Sequence, residues 1–285
     1  MPTVTTFLDT PRLRFHLRTH GAPGGMPMLF LHGSYASSRW WEPLFDLLPD
    51  EVFAVAPDLR GCGLTGDPAN SSALYAVEEQ AADAAALADA LDAAVGFRNF
   101  DLVGHSSGGA VAIEYALNRP AALHTLVLVN SVPVEGVFTP LEAFVALEQM
   151  RSDRALLRRA LAALMPARAT EGDPFFDLLV EDAANMAPAA FTEVAAALNR
   201  WNRFAEARAL TLPTLLLWGE LDEIVSRDAT TRTLIAIPGA ANLEVLHGVG
   251  HSPLLEAPLA LAERIIAFVA EDFAGYDEVR RRASE

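Results

Sequence analysis

Six short apolar runs recur along this chain and leave it few folds to adopt. They are Met28-Leu29-Phe30-Leu31, Val52 to Ala56, Phe100 to Gly104, Thr125 to Val129, Thr214 to Trp218 and the weaker Leu243 to Leu246. A strand that is apolar on both faces must be covered on both faces, which is the condition of a parallel sheet between layers of helices. Helical patterns fill the intervals. Tyr75 to Val95 is rich in alanine, with Leu74, Val77, Leu87, Leu91 and Val95 available as one face. Val111 to Asn118 and Ala257 to Val269 read the same way. Strand and helix in alternation predict an α/β fold with a mostly parallel central sheet flanked by helices. Pro11 to Arg18 is different. Leu13, Phe15 and Leu17 alternate with Arg12, Arg14, His16 and Arg18, a period of two that predicts a strand near a sheet edge with one wet face.

The alternation stops between Val132 and Leu210. That stretch holds no credible strand, and Pro140, Pro166, Pro174 and Pro188 divide it. The spacing predicts four helices, roughly 139–150, 152–164, 174–186 and 188–204. An all-helical block between two core strands reads as an inserted cap. The predicted organisation is therefore a core of residues 1–131 and 211–285 interrupted by a helical cap at 132–210, with Asp277 to Glu285 as a charged, frayed tail.

Composition removes whole classes of function. A net charge of -16 over 285 residues argues against binding nucleic acid or an anionic membrane, each of which needs a basic surface. All 21 basic residues are arginine, so no lysine is present to form a Schiff base or serve a phosphate loop. The single cysteine, Cys62, rules out an intrachain disulfide and a cysteine metal cluster. No apolar run approaches ~18 residues, so no membrane span is expected. The first twenty residues carry Arg12, Arg14 and Arg18 without a long apolar stretch, so no signal peptide is read and a cytoplasmic location is expected. There is no H-E-x-x-H helix and no dinucleotide fingerprint, so no metal or organic cofactor is expected. A small-molecule substrate is the expected partner.

Gly104-His105-Ser106-Ser107-Gly108 fits G-x-S-x-G. In that pattern the serine sits strained on a sharp strand-to-helix turn, with its hydroxyl presented at the C-terminal edge of the sheet. Glycines two residues to either side let strand and helix approach without Cβ clashes. The helix N-terminus favours negative charge developing beside it. The pattern alone arises by chance in roughly one such chain in twenty. Here an apolar run precedes it and the small residues Gly109 and Ala110 follow.

A serine hydroxyl needs a base to take its proton. His251 is favoured, in a Gly248-Val249-Gly250-His251-Ser252-Pro253 loop after the last strand. His247, at that strand's end, is the alternative. His16, His20, His32, His105 and His124 sit where other roles explain them. The base in turn needs a carboxylate to fix its tautomer. Asp222 in Trp218-Gly219-Glu220-Leu221-Asp222 is favoured, with Glu220 and Glu223 as competitors. The end of the preceding strand, where an acid might otherwise lie, carries Asn130, which cannot be a charged partner. Two backbone N–H groups should complete the site as oxyanion donors: that of Ser107, after the nucleophile, and that of Ser34 after His32-Gly33, with Tyr35 second.

These residues together make the chain resemble the α/β-hydrolase fold superfamily from about residue 10 to 272. The matching segments are His32-Gly33, Asp58 to Gly63, Gly104 to Gly109, Gly219-Glu220-Leu221-Asp222 and Gly250-His251-Ser252-Pro253, with Glu256 and Pro258 after them. The order Ser106, Asp222, His251 is that of the family. Cys62 stands where the family usually has a histidine; that position is structural, and Cys62 reads as a small buried side chain rather than a second nucleophile. The resemblance implies a serine hydrolase acting on an ester or lactone of a small, mostly apolar substrate. Haloalkane dehalogenases and epoxide hydrolases, with aspartate at the nucleophile position, are disfavoured. Carbon–carbon hydrolysis and cofactor-free perhydrolysis or haloperoxidation use the same triad and stay open. A ligand-binding protein with vestigial hydrolysis is the reading from another class. Phe138, Phe144, Met150, Phe175, Phe176, Met186, Trp201 and Phe204 are available to line a pocket, although helical spacing alone would place most of them in the cap's own core.

Overall fold

Each apolar run forms a strand in the computed structural model, which describes residues 3–66 and 75–270. The Asp277 to Glu285 tail and Leu74 lie outside those residues. Eight strands form one sheet in the order β1-β2-β4-β3-β5-β6-β7-β8. They are β1 (Val4–Asp9), β2 (Arg14–His20), β3 (Met26–Leu31), β4 (Val52–Pro57), β5 (Phe100–His105), β6 (Leu123–Val129), β7 (Thr214–Gly219) and β8 (Ala240–Leu246). Only β2 runs against its neighbours; the pairs from β4 to β8 are all parallel. Parallel neighbours need crossovers, and helices lie on them: α1 (Glu42–Phe45), α2 (Val77–Val95), α3 (Ser107–Asn118) and α8 (Arg227–Ala236); α9 (Pro253–Glu256) and α10 (Pro258–Ala270) follow the last strand. Strands β4, β5 and β7 are buried along their whole length, which is why they read as continuous apolar runs.

Between β6 and β7 lie four helices and no strand: α4 (Leu141–Ser152), α5 (Arg154–Ala163), α6 (Pro174–Ala184) and α7 (Ala190–Arg200). Asp153 and Asp173 cap α5 and α6 by accepting from the Leu156 and Phe175 amides at 2.9 Å each. The last of these helices stops at Arg200, four residues short of the expected end, because Trp201 turns extended. The Trp201 indole donates to Glu114 of α3 at 3.0 Å.

The period-two strand lies near the sheet edge as expected, second in the order with β1 pairing along its outer side, but the expected wet face is absent over most of its length. His16 and Arg18 are buried, and both have partners. His16 Nδ1 lies 2.8 Å from Asp58 Oδ2, and Arg18 Nη1 donates to Ser38 Oγ at 2.8 Å. A buried polar side chain persists where partners satisfy it, so alternating polarity does not by itself mean a solvated face. Asp58 is the hub of this cluster. It also accepts from the Ser38 and Leu64 amides at 2.7 and 2.8 Å. Burial alone would raise its carboxyl pKa, but the bonds from His16, Ser38 and Leu64 hold it well below the ordinary carboxylate range.

Candidate active site

Ser106 stands between β5 and α3, as the residue before the helix, with φ 54 and ψ -122, a positive-φ conformation that strains any residue with a Cβ. The turn closes because its glycines permit it. A Cβ on Gly104 would lie 2.7 Å from Gly109 Cα, and one on Gly108 would lie 2.4 Å from the His32 carbonyl oxygen. The Oγ of Ser106 is 3.0 Å from His251 Nε2, and His251 Nδ1 is 2.9 Å from Asp222 Oδ2. Three residues far apart in sequence thus form one hydrogen-bonded chain. His247 is not part of it: its side chain is 80% exposed and pairs with Glu220 on the surface at 3.3 Å. Glu223 is exposed as well.

Asp222 is the only carboxylate of the three candidates in contact with His251, and it is fully engaged. Its Oδ1 accepts from the Ile224 and Val225 amides at 2.7 and 3.0 Å. Its Oδ2 accepts from Asn130 Nδ2 at 2.6 Å besides meeting His251. Burial pushes this carboxyl up, but His251, Asn130 and the Val225 amide outweigh that and hold it below its ordinary value. The carboxylate therefore stays charged. Asn130 is held at φ 44, and its Oδ1 accepts from the Gly219 amide at 3.3 Å. Sequence reasoning excluded it as the charged partner and missed that its amide would hold the Asp222 carboxylate. Its place at the C-terminal end of β6, beside β7, was the available signal.

His105 and His32 flank the serine without touching its hydroxyl. Burial, then the nearby His251, push the His105 pKa down to about 3, so its ring is neutral. It carries its proton on Nε2 and donates to the His251 carbonyl oxygen at 2.8 Å, which leaves Nδ1 buried without a partner. Burial also lowers the His32 pKa. The His32 Nε2 accepts from the Leu59 amide at 2.9 Å, while Nδ1 donates to the Gly33 carbonyl at 2.8 Å. The loop after β3 is fixed in this way against the turn after β4. Cys62 is buried in that turn with its thiol pKa raised by desolvation.

Gly33 lets this loop lie against the serine, since a Cβ there would be 2.8 Å from Ser106 Cβ. Ser34 and Ser107 face each other, with the Ser34 hydroxyl donating to Ser107 Oγ at 3.0 Å. As the first residue of α3, Ser107 has an amide with no intrahelical acceptor. The Ser34 amide likewise donates to nothing among the described residues. Tyr35, at φ 59, donates its hydroxyl to the Phe191 carbonyl of α7 at 2.7 Å.

A cavity of about 470 Å³ opens over Ser106 and His251. Its core side is Trp40, Val132, Ile224 and Val225; its cap side is Leu147 and Met150 of α4, Leu161 and Leu164 at the end of α5, and Ala195 and Leu198 of α7. No aspartate, glutamate or arginine lines it among the described residues. Of the cap's aromatics and methionines singled out in the sequence, only Met150 reaches this wall. Phe176, Met186 and Trp201 are packed inside the protein, and Phe138 is 82% exposed. Among the described residues, no group of three or more His, Cys, Asp or Glu side chains is placed to hold a metal ion. No described helix is long and apolar enough to cross a membrane.

Comparison with known proteins gives three likenesses beside a family match. The alpha/beta hydrolase family matches over residues 28–264. A 2-hydroxymuconate semialdehyde hydrolase from Pseudomonas sp. (strain CF600) is 29% identical over 265 residues, 88% of this chain and 89% of its own. The solved structure of an esterase from Exiguobacterium antarcticum superposes with a TM-score of 0.80 at 20% identity, covering 94% of this chain and all 100% of that one. That of an enol-lactonase from Burkholderia xenovorans gives 0.79 at 18% identity, with 93% and 100% covered. At those identities the two structures speak to the fold alone.

Proposed function

The chain belongs to the alpha/beta hydrolase family, and from that premise we propose that it is a serine hydrolase cleaving a carboxylic ester or lactone of a small, uncharged, mostly apolar substrate. The observation that carries this reading is the cavity over Ser106, which is mostly apolar and has no aspartate, glutamate or arginine in its wall among the described residues. A carboxylate brought there would lose its hydration and find no cation in exchange. The chain's charge of -16 would also slow its approach.

In this reading Ser106 Oγ attacks the carbonyl carbon while His251 Nε2 accepts its proton. Asp222 holds the ring with Nδ1 protonated and stabilises the imidazolium that forms. The amides of Ser34 and Ser107 donate to the oxyanion, a contribution of about 3–4 kcal/mol per donor at the transition state. His251 then protonates the leaving alkoxide. Water, activated by the same imidazole, cleaves the acyl-enzyme and restores the Ser106 hydroxyl.

Carbon–carbon hydrolysis is the second reading, and the likeness to 2-hydroxymuconate semialdehyde hydrolase supports it. The substrate in that protein's name has no ester and carries a carboxylate, which this cavity does not complement. A panel of neutral aryl esters, lactones and carboxylate-bearing vinylogous diketones separates the two. Turnover confined to neutral esters and lactones is expected. Turnover of the diketones in preference to every ester would overturn the first reading in favour of the second.

A further inference from the structure

Gly250-His251-Ser252 is irregular chain between β8 and α9, and a base on such a segment needs bracing. One carboxylate braces both flanks. Glu256, the last residue of α9, folds back so that Oε1 accepts from the Ser252 amide at 2.9 Å and Oε2 from the Gly250 amide at 3.0 Å. The first of these bonds resembles the return half of a capping box, a helix-turn carboxylate accepting from the N-cap amide. The second reaches beyond the helix to the residue before the base. The same Oε2 accepts a further N–H at 2.9 Å, from Ala167 in the cap loop between α5 and α6.

That loop grips the base's segment elsewhere too. The Ser252 hydroxyl donates to the Leu164 carbonyl at 2.8 Å, and Arg168 Nη1 donates to the Leu255 carbonyl at 2.9 Å. Pro166 packs so closely that a Cβ on Gly250 would lie 2.4 Å from its Cδ. The far side is fixed by the core alone, through His105 and the His251 carbonyl.

We propose that Glu256 is a positioning residue that makes the setting of His251 depend on the seating of the cap loop 164–168. The proposal rests on His251 being the base. When the loop lifts, Oε2 loses a donor, the Ser252 hydroxyl loses its acceptor, and Gly250 loses the proline behind it. His251 is then free to leave its 3.0 Å contact with Ser106. Leu161 and Leu164 join this loop to the cavity wall, so a substrate that fills the cap side steadies the loop and aligns the base. Binding energy from the remote part of the substrate appears in kcat rather than only in KM.

The test compares wild type, Glu256→Ala, Glu256→Gln, Arg168→Met and the Glu256→Ala/Arg168→Met double variant. Each is followed by kcat and KM on a short and a long aryl ester, by the rate of fluorophosphonate labelling, and by thermal unfolding. Glu256→Ala should lower kcat roughly 10²-fold with KM little changed. Glu256→Gln, which keeps one carbonyl oxygen, should recover part of that loss. Arg168→Met, which removes the loop's bond to the Leu255 carbonyl and its pair with Asp173 but leaves Glu256 in place, should lower kcat about 2- to 30-fold. The double variant should lose less than the product of the two, because both open the same latch. Wild-type kcat in a folded Arg168→Met, or losses that simply multiply, would overturn the proposal while the serine mechanism stood. A folded wild type that never labels would overturn the mechanism and the proposal together.

Discussion

Strand β5 buries all six of its residues, whereas helix α4 of the cap buries only Met150 of its twelve. The contrast extends to the charges. In the core, Asp58, Asp83 and Asp222 are buried and each is met by several donors. In the cap, Glu181 pairs with Arg154 across open surface, while Leu141 and Val145 stand exposed. The core is a close-packed interior whose buried carboxylates are paired, and few substitutions are tolerated there. The cap is a thin layer whose inner side shapes the cavity and whose outer side bears little load. On this account chemistry belongs to the core and selectivity to the cap, and the two meet where the loop 164–168 touches the His251 segment.

The largest expected effect tests the chemical half. Asp222→Asn should lower kcat by about 10⁴ while the fold persists. A much smaller loss would move the orienting role to another acid and break the assignment of the chemistry to this one buried pair.

Stability should divide in the same way. Leu128→Ala in β6, fully inside the core, should cost about 3 kcal/mol in denaturant unfolding. Leu141→Ala, 83% exposed on α4, should stay within about 0.5 kcal/mol. Equal costs at the two positions would erase the contrast.

Acid should act on the core first. Asp58 and Asp222 are held below their ordinary range by donors that outweigh burial. A depressed carboxylate contributes stability that is complete above its unfolded value, about pH 4, and is lost as pH falls through the folded value. The buried, neutral His105 and His32 act in the same sense from a higher pH, because the unfolded chain protonates them below about pH 6.5. Melting temperature should therefore begin to fall below about pH 6.5 and fall more steeply below about pH 4. Glu181→Gln, which removes an exposed surface pair, should not change that fall. A melting temperature flat to about pH 2 would contradict the sign.

The smallest effect sharpens the selective half. Ala195→Leu adds bulk to the cap wall of the cavity. It should raise KM for long aryl esters several-fold and leave short ones near wild type. Equal changes for both lengths would mean that the cap wall does not measure the substrate.

Most of this contrast was legible in the sequence where one residue type has one physical meaning. Continuous apolar runs became parallel strands, and prolines marked out the cap helices. Ser106, Asp222 and His251 stand in positions that strand ends dictate. What escaped depends on partners distant in sequence. His16 and Arg18 read as solvated because their hydrogen-bond partners Asp58 and Glu42 lie 42 and 24 residues away. Strand β1 was missed because Val4-Thr5-Thr6-Phe7-Leu8-Asp9 covers an edge and is largely exposed. Helix α8 is too polar to show an apolar stripe. Helical spacing placed most of the cap's large side chains in its own core, and Phe176, Met186 and Trp201 lie buried there; beside Met150, it is leucines and alanines of the cap that line the cavity, and nothing in their spacing marks them. Asn130 signals its place only by standing at the end of β6 beside β7, and Glu256 only by following the His251 segment; what each holds is visible only in the hydrogen bonds it makes.

Intact-mass labelling with a fluorophosphonate, on wild type and Ser106→Ala in parallel, tests the central claim most directly. The account predicts one adduct on wild type and none on the variant, with both folded. An adduct on Ser106→Ala, or none on folded wild type, would contradict an activated serine at this turn.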